Sequence, residues 1–430
     1  MKHIYATIVI VLALLAIPHV VGAQKTYFIS ANGNDRNIGD RSRPFASWDY
    51  VNVLVKDGRL TPGDTVFIRG GVYYSNYGND EQNHVLWRNI HGTAEQRICI
   101  MAFPGETPIL GLDDINTTQS DPVGLRIEQC SYLHIAGLRI SGLNQVADGS
   151  GLSSGVDISY TNNSIFENLE IDNIGGYGLL LGDDTESSLF LNIDVHHIYD
   201  SLTAGSPWKN ANGIHCAAAT AGQDTFRFCR VWKCSNDGFD LKQSTGNFVL
   251  EGCWSFWNGY KPYSWEAAGG GSGFQIGRGS NPRKLKKASG SARVINACMA
   301  FENRQVGFNQ DNAAYSFALF NNISYQNGID TYGCGFTCEK VKPKLVQEFR
   351  NNISFNDRQA VRGASMGVNN SWNADYEISA KDFMSVSSNG VDGYRLPNGG
   401  LPILSFLRLK DDSELLKSMM PGDVVTTGTQ

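Results

Sequence analysis

The feature that most constrains this chain is a repeat. Taking glycine, an apolar residue, any residue and a second apolar or long residue as a register, six segments appear. They are Gly155-Val156-Asp157-Ile158, Gly178-Leu179-Leu180-Leu181, Gly213-Ile214-His215-Cys216, Gly238-Phe239-Asp240-Leu241, Gly273-Phe274-Gln275-Ile276 and Gly307-Phe308-Asn309-Gln310, spaced by 23, 35, 25, 35 and 34 residues. A unit this short cannot bury an apolar face alone and must stack on its neighbours. Spacings near 24 suit one turn of a parallel β-helix, and the longer ones suit a turn that carries an insertion.

A second register lies between these segments. Cys253-Trp254-Ser255-Phe256-Trp257-Asn258 aligns with Cys298-Met299-Ala300-Phe301-Glu302-Asn303, with Asn322-Ile323-Ser324-Tyr325-Gln326-Asn327 and with Asn352-Ile353-Ser354-Phe355-Asn356-Asp357. Side chains alternate across a strand, so a fixed column would stack Phe256, Phe301, Tyr325 and Phe355 inside, rung upon rung at about 4.8 Å. Asn258, Asn303 and Asn327 would form an asparagine ladder at the turn, where Asn tolerates left-handed backbone and its amide bonds along the stack. From about residue 371 the register is lost. Residues 379–384 read as a short helical piece, and 371–430 as a carboxy-terminal packing segment of the same domain.

Abundant glycine, 47 residues against 13 prolines, and 11% aromatics agree with many short strands and turns. Residues 25–30 are patterned as a strand, and Val51, Val53, Leu54 and Val55 give the apolar face of a helix that Ser47 is placed to cap. "PGDTVFIRGGVYY" then returns to strand. This order resembles the amino-terminal cap of right-handed parallel β-helix proteins, a lid for the open end of the sheets. The expected fold is all-β: a single-stranded right-handed parallel β-helix over 24–370, of about ten turns, with an amino-terminal helical cap.

Met1-Lys2-His3, an apolar run over 8–17 and Val21-Gly22-Ala23 make residues 1–23 a secretory signal peptide, too short to be a stable membrane span. The expectation is a secreted or periplasmic monomer that does not engage a membrane. A formal charge of −6 gives no general attraction to a polyanion, which argues against nucleic acid as a partner. An acidic ligand has to be met by local positive charge or by a metal. The nine cysteines have neither disulfide-scaffold density nor a zinc pattern and read mostly as small buried hydrophobes, with Cys334 and Cys338 the candidate bridge.

The chemistry collects around Asn236-Asp237-Gly238-Phe239-Asp240-Leu241-Lys242. Stacking the first register puts Asn212 beside Asp237 and puts His215 and Gln275 on either side of Asp240, with Lys242 two residues on along the same face. Asn212, Asn236, Asp237 and Asp240 then form an oxygen-rich cluster of the kind Ca²⁺ takes as ligand. The rungs on either side carry long insertions, 197–213 and 258–273, leaving from one edge as the walls of a groove. They contain Trp208, Lys209, Tyr260, Lys261, Tyr263 and Trp265, aromatics and cations suited to sugar faces and uronate carboxylates. A third excursion brings Arg278 and four further cations. The alternative for the Asn-Asp-Gly word is plain turn chemistry.

These motifs and their spacing resemble polysaccharide lyase family 9, the β-helical pectate lyases and rhamnogalacturonan lyases, over nearly the whole mature chain. "NDGFDL" is similar to the family's calcium motif, and "GFNQDN" and "NNISYQNG" are similar to its asparagine-rich rungs. The resemblance implies Ca²⁺-assisted β-elimination on an acidic polysaccharide, polygalacturonate or rhamnogalacturonan, with the calcium positions falling on Asn212, Asn236, Asp237 and Asp240. It also implies a catalytic lysine on the following rung, where this chain has Gln275, an amide that takes no proton. Lys242 is the substitute candidate, ahead of Lys209 and Lys261. Two rivals stand beside the lyase: a glycan-binding β-helix without activity, and a hydrolase using Asp240 and Asp311.

Overall fold

The computed structural model describes residues 23–74, 83–113, 121–146, 149–217, 222–244, 246–277, 292–311, 316–338, 346–363 and 367–418. The expected signal peptide lies outside this set except for Ala23. The chain visits three parallel sheets in turn. Sheet A has 11 strands, from Thr26–Ile29 to Gln347–Arg350. Sheet B has 10, from Gly71–Tyr74 to Ile353–Phe355. Sheet C also has 10, from Asn83–Arg88 to Val361–Gly363. Each strand pairs with the one a full turn away, so the expected parallel β-helix is the observed fold.

Identical columns explain the core. Phe239, Phe274, Phe308 and Phe336 stack along sheet C at 4.9, 4.9 and 4.8 Å between ring centres. In sheet A, Phe166, Phe190 and Phe226 do the same at 5.1 and 4.6 Å. The second register behaves differently from expectation. Phe256, Phe301, Tyr325 and Phe355 stack, but on the outer face of sheet B, in a separate cluster with Phe383, Phe406 and Leu415 of the carboxy-terminal segment. Ser255, Ala300, Ser324 and Ser354, the alternate positions, point inward. The reason is space: sheets B and C lie so close that a Cβ on Gly238 would sit 2.0 Å from Ser255 Oγ. Small residues fill the gap and the aromatics go outward.

The carboxy-terminal segment is clamped over that outer face by one carboxylate. Asp194 accepts from Arg230 Nε and Nη2 at 2.9 and 2.6 Å and from Arg395 Nη2 at 2.6 Å. Arg230 in turn donates to the Val391 and Gly393 carbonyls. Burial opposes the charge of Asp194, but the two guanidinium groups outweigh it and its pKa is lowered.

The asparagine ladder forms. Asn303 Oδ1 accepts from the backbone N–H and side chain of Asn258 at 3.2 and 2.9 Å, and Asn327 Oδ1 accepts from Asn303 at 3.0 and 3.0 Å. Asp357 ends the run. Left-handed backbone falls one residue earlier than expected, on Trp257, Glu302, Gln326 and Asn356. A second ladder of Asn322, Asn352 and Asn370 stands at the turn between sheets A and B.

Two local expectations are corrected. The cap helix spans Tyr50–Lys56 with Asp49 at its N-cap, while Ser47 bonds Asp35 at 2.8 Å instead. Cys334 and Cys338 stand at the two ends of one strand, too far apart along an extended backbone to bridge to each other.

Removing a rung of the ladder should show its weight. Asn303→Ala takes from the buried Asn258 backbone N–H its acceptor, leaving the side-chain NH₂ only Ser255 Oγ, and a loss of about 1–3 kcal/mol is expected in urea unfolding. Asp224 predicts a pH dependence. Its buried carboxyl accepts from Ser188 N–H, has no partner for Oδ2, and is pushed up to about 7 by burial. The unfolded chain releases this proton near the ordinary aspartate value of 3.8, before the folded one does, so stability falls as pH rises between those limits. The gap in Tm between Asp224→Asn and the parent should therefore grow in the variant's favour from pH 4 to pH 7.

Candidate active-site groove

The floor of the groove is the outer face of sheet C. Ile214–Cys216, Phe239–Asp240 and Phe274–Gln275 pair in parallel, with His215 beside Asp240 and Asp240 beside Gln275. Asn212, Asn236, Asp237, Asp240 and Gln275 are all buried and all within one hydrogen-bonded cluster.

Main-chain donors fix its orientation. The Asp237 N–H donates to Asn212 Oδ1 at 3.1 Å, so the Asn212 NH₂ must face the other way, and it donates to Asp240 Oδ2 at 2.8 Å. Gly270 N–H donates to Asn236 Oδ1 at 2.6 Å, turning the Asn236 NH₂ onto Asn212 Oδ1 at 2.8 Å. Asp237 accepts from Ser272 N–H at 2.8 Å, from Gln275 Nε2 at 3.2 Å and from Lys242 Nζ at 3.2 Å. The same ammonium lies 3.8 Å from Asp240 Oδ2, which His215 Nδ1 also faces at 3.1 Å.

These contacts set the protonation states. Burial works against the charge on Lys242, but Asp237 and Asp240 outweigh it and its pKa is raised. That is the opposite of what a proton acceptor needs. Burial likewise opposes ionisation of Asp240, yet the His215 hydrogen bond and the Lys242 charge prevail and its pKa is lowered. Asp237, beside that second carboxylate, is raised by burial. Gln275 is a donor here and its Oε1 is buried without a partner. His215 stacks on Tyr177 at 4.5 Å; its Nδ1 faces Asp240 Oδ2 at 3.1 Å and the Asn212 amide at 3.4 Å, and its Nε2 makes no hydrogen bond among the described residues. The register had placed His215 at this spot without giving it a role.

The two long insertions leave sheet B on neighbouring sides of the Asp237 rung, as expected, and pack on each other: a Cβ on Gly269 would meet the Trp208 carbonyl oxygen at 2.2 Å. Asp200, missed in the sequence, organises the first wall by accepting from Thr203 Oγ1, from the Asn210 backbone and side chain, and from Ala211 N–H. Asp followed by Ser at a loop entry was the available signal. Lys261 Nζ lies 6.0 Å from the Trp208 ring and is paired with Glu266 at 2.7 Å. Lys209 is exposed beside it. Trp265, 63% exposed, packs edge-on against Trp257 and Tyr260, and Tyr263 stacks on His197 of sheet B, so these two rings crown the wall on its sheet B side. Arg278 lies outside the described residues.

The cluster does not fit calcium. That ion takes 6 to 8 oxygen ligands. Here an amide NH₂ of fixed orientation faces Asp240, and an ammonium faces both carboxylates. A second group, Glu170, Asp172 and His196, has ligand atoms within 4.8 Å of one another on sheet B, but Arg139 Nε already bonds Asp172 at 2.8 Å.

Residues 27–352 match the family model described as Pel9A-like, right handed beta helix region. The chain belongs to this family. It is 28% identical over 402 residues to pectate lyase L of Dickeya dadantii (strain 3937), covering 93% of this chain and 87% of that one. A solved rhamnogalacturonan lyase superposes with TM-score 0.78 at 25% identity, over 91% of this chain and 98% of its own. Pectate lyase Pel9A, at 24% identity and TM-score 0.73 over 91% and 90%, shares the fold.

If Asp200 holds the first wall, Asp200→Ala should open it. Limited proteolysis should then cut within 199–212 at a rate at least about tenfold above the parent while the coil stays intact.

Proposed function

We propose that the protein is an exported polysaccharide lyase that cleaves an acidic pectic chain, polygalacturonate or rhamnogalacturonan, by β-elimination in the sheet C groove. The observation that carries this reading is a cation at the floor. Lys242 spends N–H bonds on the Asp237–Asp240 pair, but a quarter of its side chain remains exposed and can meet a uronate carboxylate. The names of relatives that match this chain nearly end to end, pectate lyase and rhamnogalacturonan lyase, support the same substrate class.

Elimination at a 4-linked uronate removes the hydrogen α to the carboxylate, which becomes acidic when positive charge neutralises that carboxylate. Lys242 supplies the charge. The proton needs a lone pair, and the uncommitted one at the floor is His215 Nε2, oriented through Nδ1–H to Asp240 in the manner of a histidine general base. The electron pair of the broken C–H bond then forms the double bond as the glycosidic oxygen leaves. No step is routed through calcium.

A second reading has its own support. Gln275 has no basic lone pair and His215 is only 3% exposed, which favours a β-helix that binds the glycan without cutting it. The two readings part experimentally. A lyase gives new ultraviolet absorbance of unsaturated uronate on digestion of polygalacturonate or rhamnogalacturonan. Both His215→Ala and Lys242→Ala should lower that rate at least about a hundredfold. Absence of new absorbance on every uronate polymer, with binding retained in affinity electrophoresis, establishes the silent binder. In that event Gln275→Lys is the informative gain-of-function variant. It places an amine beside the Lys242 ammonium, whose charge favours the neutral form that accepts a proton.

A further inference from the structure

The misfit with calcium has a positive content. Asn212 offers its only oxygen to the Asp237 N–H, a donor that cannot turn. A carboxylate at 212 would keep that bond and aim a second oxygen at Asp240, the arrangement a shared cation calls for. The amide aims an N–H instead and makes the bridge itself at 2.8 Å. Asn236 is pinned the same way by Gly270 N–H. Each of the four carboxylate oxygens already accepts at least one N–H: Asp237 Oδ1 from Ser272 and Oδ2 from Lys242 and Gln275, Asp240 Oδ1 from the Lys242 backbone and Oδ2 from Asn212. Among the described residues, the one cationic group facing both carboxylates is the Lys242 ammonium, at 3.2 and 3.8 Å.

We propose that Lys242 is the resident cation of the Asp237–Asp240 pair, a protein-borne replacement for a divalent metal, so that the groove floor is assembled without calcium. The side chain is attached two residues beyond Asp240, and its own backbone N–H bonds Asp240 Oδ1 at 3.0 Å. The same short segment therefore supplies one acid, its main-chain donor and its counter-charge. A tethered ammonium cannot be removed by chelation and carries half the charge of Ca²⁺, which matches a cluster with two carboxylates in place of a more acidic set. The inference concerns what holds the floor together and stands whether or not the groove cleaves its ligand.

The test is calcium binding, read by isothermal titration calorimetry and by the shift of Tm with calcium chloride on the full chain. The wild-type chain should give no saturable calcium site at this position. In the double variant Asn212→Asp, Lys242→Ala the metal-facing oxygen is restored and the ammonium is gone. It should gain a calcium site at least about tenfold tighter than any in the parent, and a Tm that rises with calcium. Saturable calcium binding to the wild type that Asp237→Asn abolishes would overturn the proposal, and the wild-type arm decides even if the double variant does not fold. A folded double variant that remains indifferent to calcium would also overturn it, because the place of the ammonium would then not be a cation seat.

Discussion

One bond recurs through this molecule: a side-chain amide oxygen on one rung accepts a backbone N–H from the neighbouring rung. Asn303 and Asn327 use it at the turn between sheets B and C, and Asn322 and Asn352 use it between sheets A and B. In a parallel stack the N–H groups of sharp turns have no strand partner, and burial makes an unpaired one costly. An asparagine in a fixed column satisfies the adjacent rung and passes its own NH₂ onward. The coil is thus locked in register at its corners as well as along its sheets. Asn212 does the same thing on the groove floor, taking the Asp237 N–H and handing its NH₂ to Asp240. The active-site candidate is built from the device that builds the scaffold.

That continuity explains why the columns were readable in the sequence and the chemistry was not. Gly213, Gly238 and Gly273 mark equivalent points of successive rungs, so neighbours along the axis follow from counting residues, and Asn212 with Asp237 and Asp240 with Gln275 fall together as counted. Counting does not reveal which way an amide is turned. That depends on Gly270 and Asp237 donating backbone N–H groups, and Gly270 lies at the end of a long insertion whose path no periodicity describes. An oxygen-rich cluster on paper became, with those donors in place, a cluster in which nitrogens face the acids.

The inside-out aromatic stack has a related cause. Both faces of sheet B carry regular columns, Ser255, Ala300, Ser324 and Ser354 on one and Phe256, Phe301, Tyr325 and Phe355 on the other. Hydrophobicity alone sends the aromatics inward. Glycines of sheet C across the coil leave no room for them, and the outer face is covered by residues 383–415, distant in sequence and without a register of their own. Asp194 holds that cover through two arginines more than 35 residues away along the chain, a tertiary fact with no local signature. The cysteines were legible as small buried residues because their columns are apolar. The expected bridge was not, because Cys334 and Cys338 stand on one extended strand.

Gln275, where the family resemblance implies a lysine, is physically coupled to Lys242. Gln275 Nε2 and Lys242 Nζ both donate to the same oxygen, Asp237 Oδ2, each at 3.2 Å. With an ammonium at 242, a lysine at 275 would press a second ammonium onto that oxygen, and mutual repulsion would push one of the two to its neutral form. Glutamine makes the same hydrogen bond with no charge, so the cluster keeps its geometry and a single positive group. The positive group of the cluster stands on the Asp240 rung and a neutral amide on the next. The imidazole of His215 stands on the opposite side of Asp240, with its Nδ1 at 3.1 Å from Oδ2.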